Sequence, residues 1–141
     1  MTNVSSFSQL KTALNTAGAS IKLLKDIPII EPISIPRGSN IQFGAFKFLG
    51  RSKSIVFDGS FEGFRQQYFF GFKPGEIKGS FSSSEIYPEW WGLEPDKNEI
   101  AINCAIQSFQ HAYLGHKVSL ASGYYYVSGP IDLRTSLSYL V

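Results

Sequence analysis

From Ile21 to Gly79 no helical period survives; the chain reads as short strand-like runs, Ile21 to Leu24, Ile33 to Ile35, Ile41 to Phe43, Ile55 to Phe57 and Tyr68 to Phe72, with apolar-polar-apolar alternation at Ile21-Lys22-Leu23 and Ile33-Ser34-Ile35. Period-2 alternation places every second side chain on one face, the pattern of a strand with one side buried. Pro, Gly, Ser and Asn separate the runs, and Arg37-Gly38-Ser39-Asn40, Asp58-Gly59-Ser60 and Lys73-Pro74-Gly75 are the clearest turns. Two other segments carry the helical period instead. Phe7 to Ala17 sets Leu10, Ala13, Leu14 and Ala17 on one face, with Ser5 or Ser6 before it as N-cap, and Ala101 to Tyr113 does the same with Ile102, Ala105, Ile106 and Phe109.

These elements recur in one order. Helix, glycine and two period-2 triplets appear as Phe7–Ala17, Gly18, Ile21-Lys22-Leu23 and Ile33-Ser34-Ile35, then as Ala101–Tyr113, Gly115, Val118-Ser119-Leu120 and Ile131-Asp132-Leu133. The interval from glycine to first triplet is identical in the two copies (Gly18 to Ile21, Gly115 to Val118), and the interval between triplets is nearly so (Ile21 to Ile33, Val118 to Ile131). A sandwich, a small barrel and a β-solenoid are all compatible with short strands, but strands this short favour the solenoid, whose exposed core ends need covers. An amphipathic helix laid across an end is such a cover; two unrelated helices in an α+β fold are the alternative. The expected fold is mainly β with two short capping helices: a small β-structured N-terminal module over 1–84, then the start of a right-handed parallel β-helix over 85–141. The small, polar stretch Gly79 to Ser84 reads as a hinge between the two.

Composition narrows the function classes. With 43% hydrophobic and 17% charged residues, 141 residues suffice for one ordinary domain or two small ones. Twelve Phe and 7 Tyr exceed what a small monomer easily hides, which points some of them toward a subunit or partner contact. A net charge of +2 without a clustered basic stripe argues against nucleic-acid binding, and no stretch approaches a membrane span. The single cysteine, Cys104, lies among Ala101, Ile102, Ala105 and Ile106 and reads as a buried structural thiol.

Ile86-Tyr87-Pro88-Glu89-Trp90-Trp91-Gly92, an acidic segment, Ala101-Ile102-Asn103-Cys104-Ala105-Ile106 and then Val118-Ser119-Leu120-Ala121-Ser122-Gly123-Tyr124-Tyr125-Tyr126-Val127 follow one another here. This succession resembles the start of the β-helix in the pectate-lyase-like superfamily, a start common in phage tailspikes. The likeness covers Tyr87 to Leu133. The chain departs from the family pattern in Leu93-Glu94-Pro95-Asp96-Lys97-Asn98-Glu99, which replaces a glycine-rich acidic loop, and in Ala121, where proline is usual. The resemblance implies a structural module of a tailspike or tail fibre in the virion. Its expected partners are two further copies in a homotrimer, a virion tail or baseplate protein, and bacterial surface polysaccharide, with any polysaccharide chemistry in coils beyond this chain. The alternatives are a polysaccharide lyase or hydrolase of the same superfamily, or a carbohydrate-binding module.

No catalytic residue, metal site or cofactor is assigned from the sequence. Glu89, Glu94, Asp96 and Glu99 form the densest acidic group, which capping of a helix start explains without catalysis. His111 and His116 stand five apart, whereas helical metal pairs stand three or four apart. Trp90, Trp91, Tyr124, Tyr125 and Tyr126 are the candidates for ligand or subunit contact. Tyr87, Pro88, Glu89, Trp90, Trp91 and Gly92 are the candidate junction motif, whose aromatic pair either locks two units together or stacks on a sugar.

Overall fold

The computed structural model describes residues 1–108, 117–122, 125 and 127–131, and the backbone of 139–140. Phe109, His111, Gly115, His116, Tyr124, Tyr126 and the Asp132-Leu133 part of the second repeat lie outside the described residues. The chain opens with β1 (Thr2–Val4) and α1 (Phe7–Ala13). Three coils of three strands follow: β2 (Ser20–Leu23), β3 (Ile27–Pro28) and β4 (Ile33–Ile35); β5 (Asn40–Gln42), β6 (Phe48–Leu49) and β7 (Ile55–Phe57); β8 (Ser60–Phe61), β9 (Phe69–Phe70) and β10 (Ile77–Lys78). A fourth turn holds β11 (Glu85–Ile86), one turn of 3-10 helix (Pro88–Trp91) and α2 (Glu99–Gln107), after which come β12 (Lys117–Val118) and β13 (Tyr139–Leu140).

Every strand pair is parallel, because each strand meets its counterpart one coil later. The sheets run β1-β2-β5-β8, β3-β6-β9, β4-β7-β10 and β11-β12-β13, the arrangement of a right-handed parallel β-helix. Register aligns Ile21, Ile41 and Phe61 in the first sheet, Ile27, Phe48 and Phe69 in the second, and Ile33, Ile55 and Ile77 in the third, so the coils are nearly equal in length. Solenoid coils thus begin at Ser20, inside the N-terminal segment.

The repeat in the sequence corresponds to two helix insertions of one kind. α1 joins β1 to its parallel neighbour β2, and α2 joins β11 to its parallel neighbour β12. α1 crosses the bottom of the stack: Phe7 and Leu10 are buried, Lys11 pairs with Glu31 at 2.6 Å, and Leu14 faces Ile33 across a small cleft. Ser6 Oγ accepts from the Gln9 amide at 3.2 Å, while Gln9 Oε1 reaches back to accept from the Ser5 amide just before the N-cap at 2.7 Å, so Ser6 and Gln9 fix the helix start from both sides. The helix is shorter than its apolar period predicts. It ends at Ala13 with Leu14 as C-cap, and Ala17 is exposed.

The core changes character along the stack. The inward ladder of the second sheet runs Ile27, Phe48, Phe69, and that of the first runs Ile21, Ile41, Phe61, so an aliphatic base gives way to an aromatic top. Phe43, Phe57, Tyr68 and Phe81 join that top, with ring centroids 4.9 Å apart for Phe43–Tyr68 and 5.4 Å for Phe57–Phe81. Most of the aromatic rings among the described residues are thus packed inside the chain, each fully buried one contributing roughly 1.5–3 kcal/mol, while Phe64 and Phe70 stay exposed. α2 closes over these rings with Ala101, Ile102, Ala105 and Ile106 buried, and the Cys104 thiol donates to the Phe72 carbonyl at 3.6 Å. Burial pushes that thiol up to about 12, so it packs as a small apolar group.

Gly79 to Ser84, expected as a hinge, is instead tied to the coil beneath it. Asp58 Oδ1 accepts from the Ser80 amide and hydroxyl at 2.9 and 3.1 Å, Ser82 Oγ donates to the Asp58 carbonyl at 2.7 Å, and the Phe81 amide donates to the Phe57 carbonyl at 2.9 Å. Gly79 has φ 150° and lies so close to the Phe57 backbone that a β-carbon would overlap it. The polar composition satisfies donors at a close coil-to-coil approach, which local sequence does not distinguish from a linker.

Candidate functional site

The junction motif lies on the fourth turn. Pro88 starts the 3-10 turn, where its missing N–H costs nothing, and Gly92 ends it at φ 88°, with the Gln67 side chain filling the space a β-carbon would need. This turn continues the second sheet: the Tyr68 amide donates to the Trp90 carbonyl at 2.9 Å. Trp90 and Trp91 therefore fall on the aromatic stack, with Trp90 4.7 Å from Phe61 and Trp91 5.2 Å from Phe69. They are 1% and 7% exposed, and the Trp90 indole N–H donates to the Phe64 carbonyl at 3.0 Å. Neither indole presents an open face to solvent.

Tyr87 and Glu89 project to the other side of the turn and gather charged groups from three successive coils. The Arg65 guanidinium lies 4.0 Å from the Tyr87 ring centroid, and its Nη1 donates to Glu89 Oε2 at 2.8 Å and to the Ser119 carbonyl at 3.4 Å. Tyr125 is half-buried; its hydroxyl accepts from the Ala121 amide at 2.7 Å and donates to Glu89 Oε2 at 3.4 Å. Tyr87 donates to Glu85 Oε2 at 2.9 Å, and Lys117 reaches Glu85 Oε1 at 3.2 Å. Glu89 Oε1 is buried without a hydrogen-bond partner among the described residues.

The electrostatics follow the same contacts. The hydrogen bond from Tyr87, then Lys117, holds the Glu85 carboxyl below the usual carboxylate range, and the Tyr87 phenol is raised by that bond to Glu85 and by burial. Burial disfavours the Arg65 charge, but the bond and charge of Glu89 outweigh it and raise the guanidinium above its ordinary value. Arg65, Glu85, Lys117 and Ser119 were not singled out by the sequence as site residues. The one signal for them is opposite charge about a coil apart, as in Arg65 and Glu89, which the uneven loops obscure.

Carboxylates elsewhere are likewise spent on neighbouring coils. Glu62 accepts from the Phe43 and Gly44 amides at 3.0 and 2.8 Å, Asp26 from the Lys47 amide at 2.9 Å, and Glu99 from the Ser128 hydroxyl at 2.7 Å. Two concavities adjoin the junction. A cleft of about 180 Å³, lined by Ser60, Glu62, Ser83, Glu85 and Tyr87 with Trp90 among its walls, lies where the first sheet stops at β8. A larger cavity of about 560 Å³ lies between β9 and α2, lined by Phe70, Trp91, Leu93, Lys73, Lys97 and Ile100 among others. Among the described residues no three His, Cys, Asp or Glu side chains are grouped to hold a metal ion, and no helix is long and apolar enough to cross a membrane. Comparison with protein families, curated proteins and solved structures finds no match to this chain.

Proposed function

We propose that this chain is a structural module of a phage tailspike or tail-fibre-like protein, working in trimer assembly and attachment to the virion, with polysaccharide chemistry in other coils. The observation that carries the reading is the use of its polar groups. Glu62, Asp26, Asp58, Glu89 and Glu99 each hold a donor from another coil, so these five carboxylates serve coil stacking. The junction motif has the same role. It joins the third, fourth and fifth coils, and beyond α2 the step from Val118 to its partner Leu140 matches the step from Ile33 to Ile55 in the lower coils. The resemblance to tailspikes from Tyr87 onward supplies the virion setting. Phe64, 64% exposed beside the junction, is an apolar group suited to a subunit contact.

Light scattering coupled to size exclusion tests the assembly. A species near three times the 15.7 kDa of the chain at micromolar concentration is expected. A stable monomer overturns the trimer, and cleavage of a capsular polysaccharide by the purified chain overturns the structural reading.

A further inference from the structure

Of the 7 prolines in the chain, Pro28, Pro32 and Pro36 fall in the lowest coil, while the coil above it, from β5 to β7, has none. Their spacing matches the direction of the backbone. Ile27 and Ile29 donate their amides upward to the Lys47 and Leu49 carbonyls, both at 2.9 Å, and Ile33 donates upward to the Ser54 carbonyl at 3.2 Å. The Ile35 carbonyl accepts from the Asp58 amide at 2.8 Å, so Ile35 also turns its polar backbone groups to the coil above. Backbone N–H groups alternate sides along an extended strand, so between and beside these residues positions 28, 32, 34 and 36 face down, away from the stack. All of these but Ser34 are proline, which has no N–H to present. One coil up, Asp58 follows β7 as Pro36 follows β4, and its amide makes the downward bond to Ile35 that Pro36 cannot make to anything beneath it.

β3 and β4 are the lowest strands of the second and third sheets, with no strand beneath them among the described residues. The first sheet differs: β2 has β1 below it, and Leu24, just past β2, donates downward to the Val4 carbonyl at 2.8 Å. A bare strand edge is a row of donors and acceptors ready to pair with another chain, and proline at the donor positions spoils it. Ser34, the base-facing donor that remains on β4, lines the narrow cleft against α1 together with Lys11, Leu14 and Asn15. We infer that Pro28, Pro32 and Pro36 close the base of the solenoid to strand addition. Neither a further coil nor a second copy pairs beneath β3 and β4, and coils stack from this one upward only. A partner met at this part of the base is then held by side chains, not by backbone pairing. The inference is independent of the virion setting and of the trimer, since it concerns only what the lowest edge can pair with.

The test restores the missing donors. The full chain carrying Pro28→Val, Pro32→Thr and Pro36→Thr is compared with the parent by light scattering across concentration. Pro74→Ser with Pro95→Ser is the control, loosening exposed turns away from the base. Circular dichroism and a urea melt establish that each variant is folded. The triple variant is expected to form species larger than the parent's own, whether that is monomer or trimer, at concentrations at least about tenfold below any at which the parent does so, and to bind thioflavin T. Hydrogen exchange should show residues 27–36 newly protected in those species, and the control pair should keep the parent's mass. A folded triple variant that keeps the parent's mass overturns the inference, because the prolines then only stiffen the chain. Association without protection over residues 27–36 overturns it as well, because the contact then lies elsewhere. If the triple variant does not fold, Pro28→Val alone is judged by the same readouts. The backbone geometry is tested in the parent: Ser34→Pro should leave the urea midpoint nearly unchanged, whereas Ile33→Pro, which loses the bond to Ser54, should abolish the folded state. Equal damage from both overturns the assignment of the base-facing positions.

Discussion

Glu89 joins three coils through one carboxylate oxygen, taking Arg65 from below and Tyr125 from above, in surroundings that leave its side chain 13% exposed. A charged hydrogen bond so placed contributes about 1–3 kcal/mol, and removing one partner leaves the other uncompensated. Glu89→Gln and Arg65→Met are each expected to lower stability, and the double variant to lose less than the sum of the two, in urea melts. Additivity of the two losses would mean that the groups are not coupled. Glu85 carries the pH dependence. Its carboxyl is held low in the folded chain, so its contribution is fully present above the unfolded value of about 4.3 and is lost as pH falls through the lower folded value. Urea midpoints measured from pH 7 to pH 3 should decline on the acid side, and Glu85→Gln should flatten part of that decline; an unchanged acid limb removes Glu85 from the account. The sequence showed Tyr87, Glu89 and their neighbours as a motif, but not the groups that answer them. Those come from other coils at separations as different as Arg65 to Glu89 and Glu89 to Tyr125, for which no local period exists.

At the scale of the element, the period-2 triplet Ile33-Ser34-Ile35 is a strand with the bounds its alternation predicts, and the strand-like run Ile55 to Phe57, apolar throughout, is a strand over those same residues. Strands as short as β3, β6 and β10 carry too little alternation to be read, and they owe their extended shape to pairing with neighbouring coils. α1 is shorter than its apolar face, ending at Ala13 with Leu14 as its C-cap. The inward ladder Ile27, Phe48, Phe69 shows where packing resides. Phe69 is fully buried with Phe57, Phe81 and Trp91 around it, so Phe69→Ala is expected to cost about 3–5 kcal/mol, or to unfold the chain outright, whereas Ile27→Val costs about 0.5–1.5 kcal/mol. Chemical denaturation compares the two. Equal losses would mean that the aromatic top is no more tightly packed than the aliphatic base.

For the whole molecule, stacking converts repeated local contacts into one continuous core from Val4 and Leu10 at the base to Trp90 and Val118 at the top. The segments expected as an anchor-like module and a β-helix start share that core, and the polar stretch between them belongs to it. The sequence by itself determined the strand-and-turn alternation, the two helices in corresponding positions, the burial of Cys104 and the junction motif. These depend on neighbours close along the chain, where side-chain period and backbone preference are decisive. Only the tertiary structure decided which face of each coil meets solvent, that the tryptophans continue an internal aromatic stack, and that Arg65, Glu89 and Tyr125 converge. Those relations join residues a whole coil apart, as Ile21 is from Ile41, or a longer coil apart where α2 intervenes, as Ile86 is from Val118. Their proximity is set by how the coils stack and is carried by no local pattern.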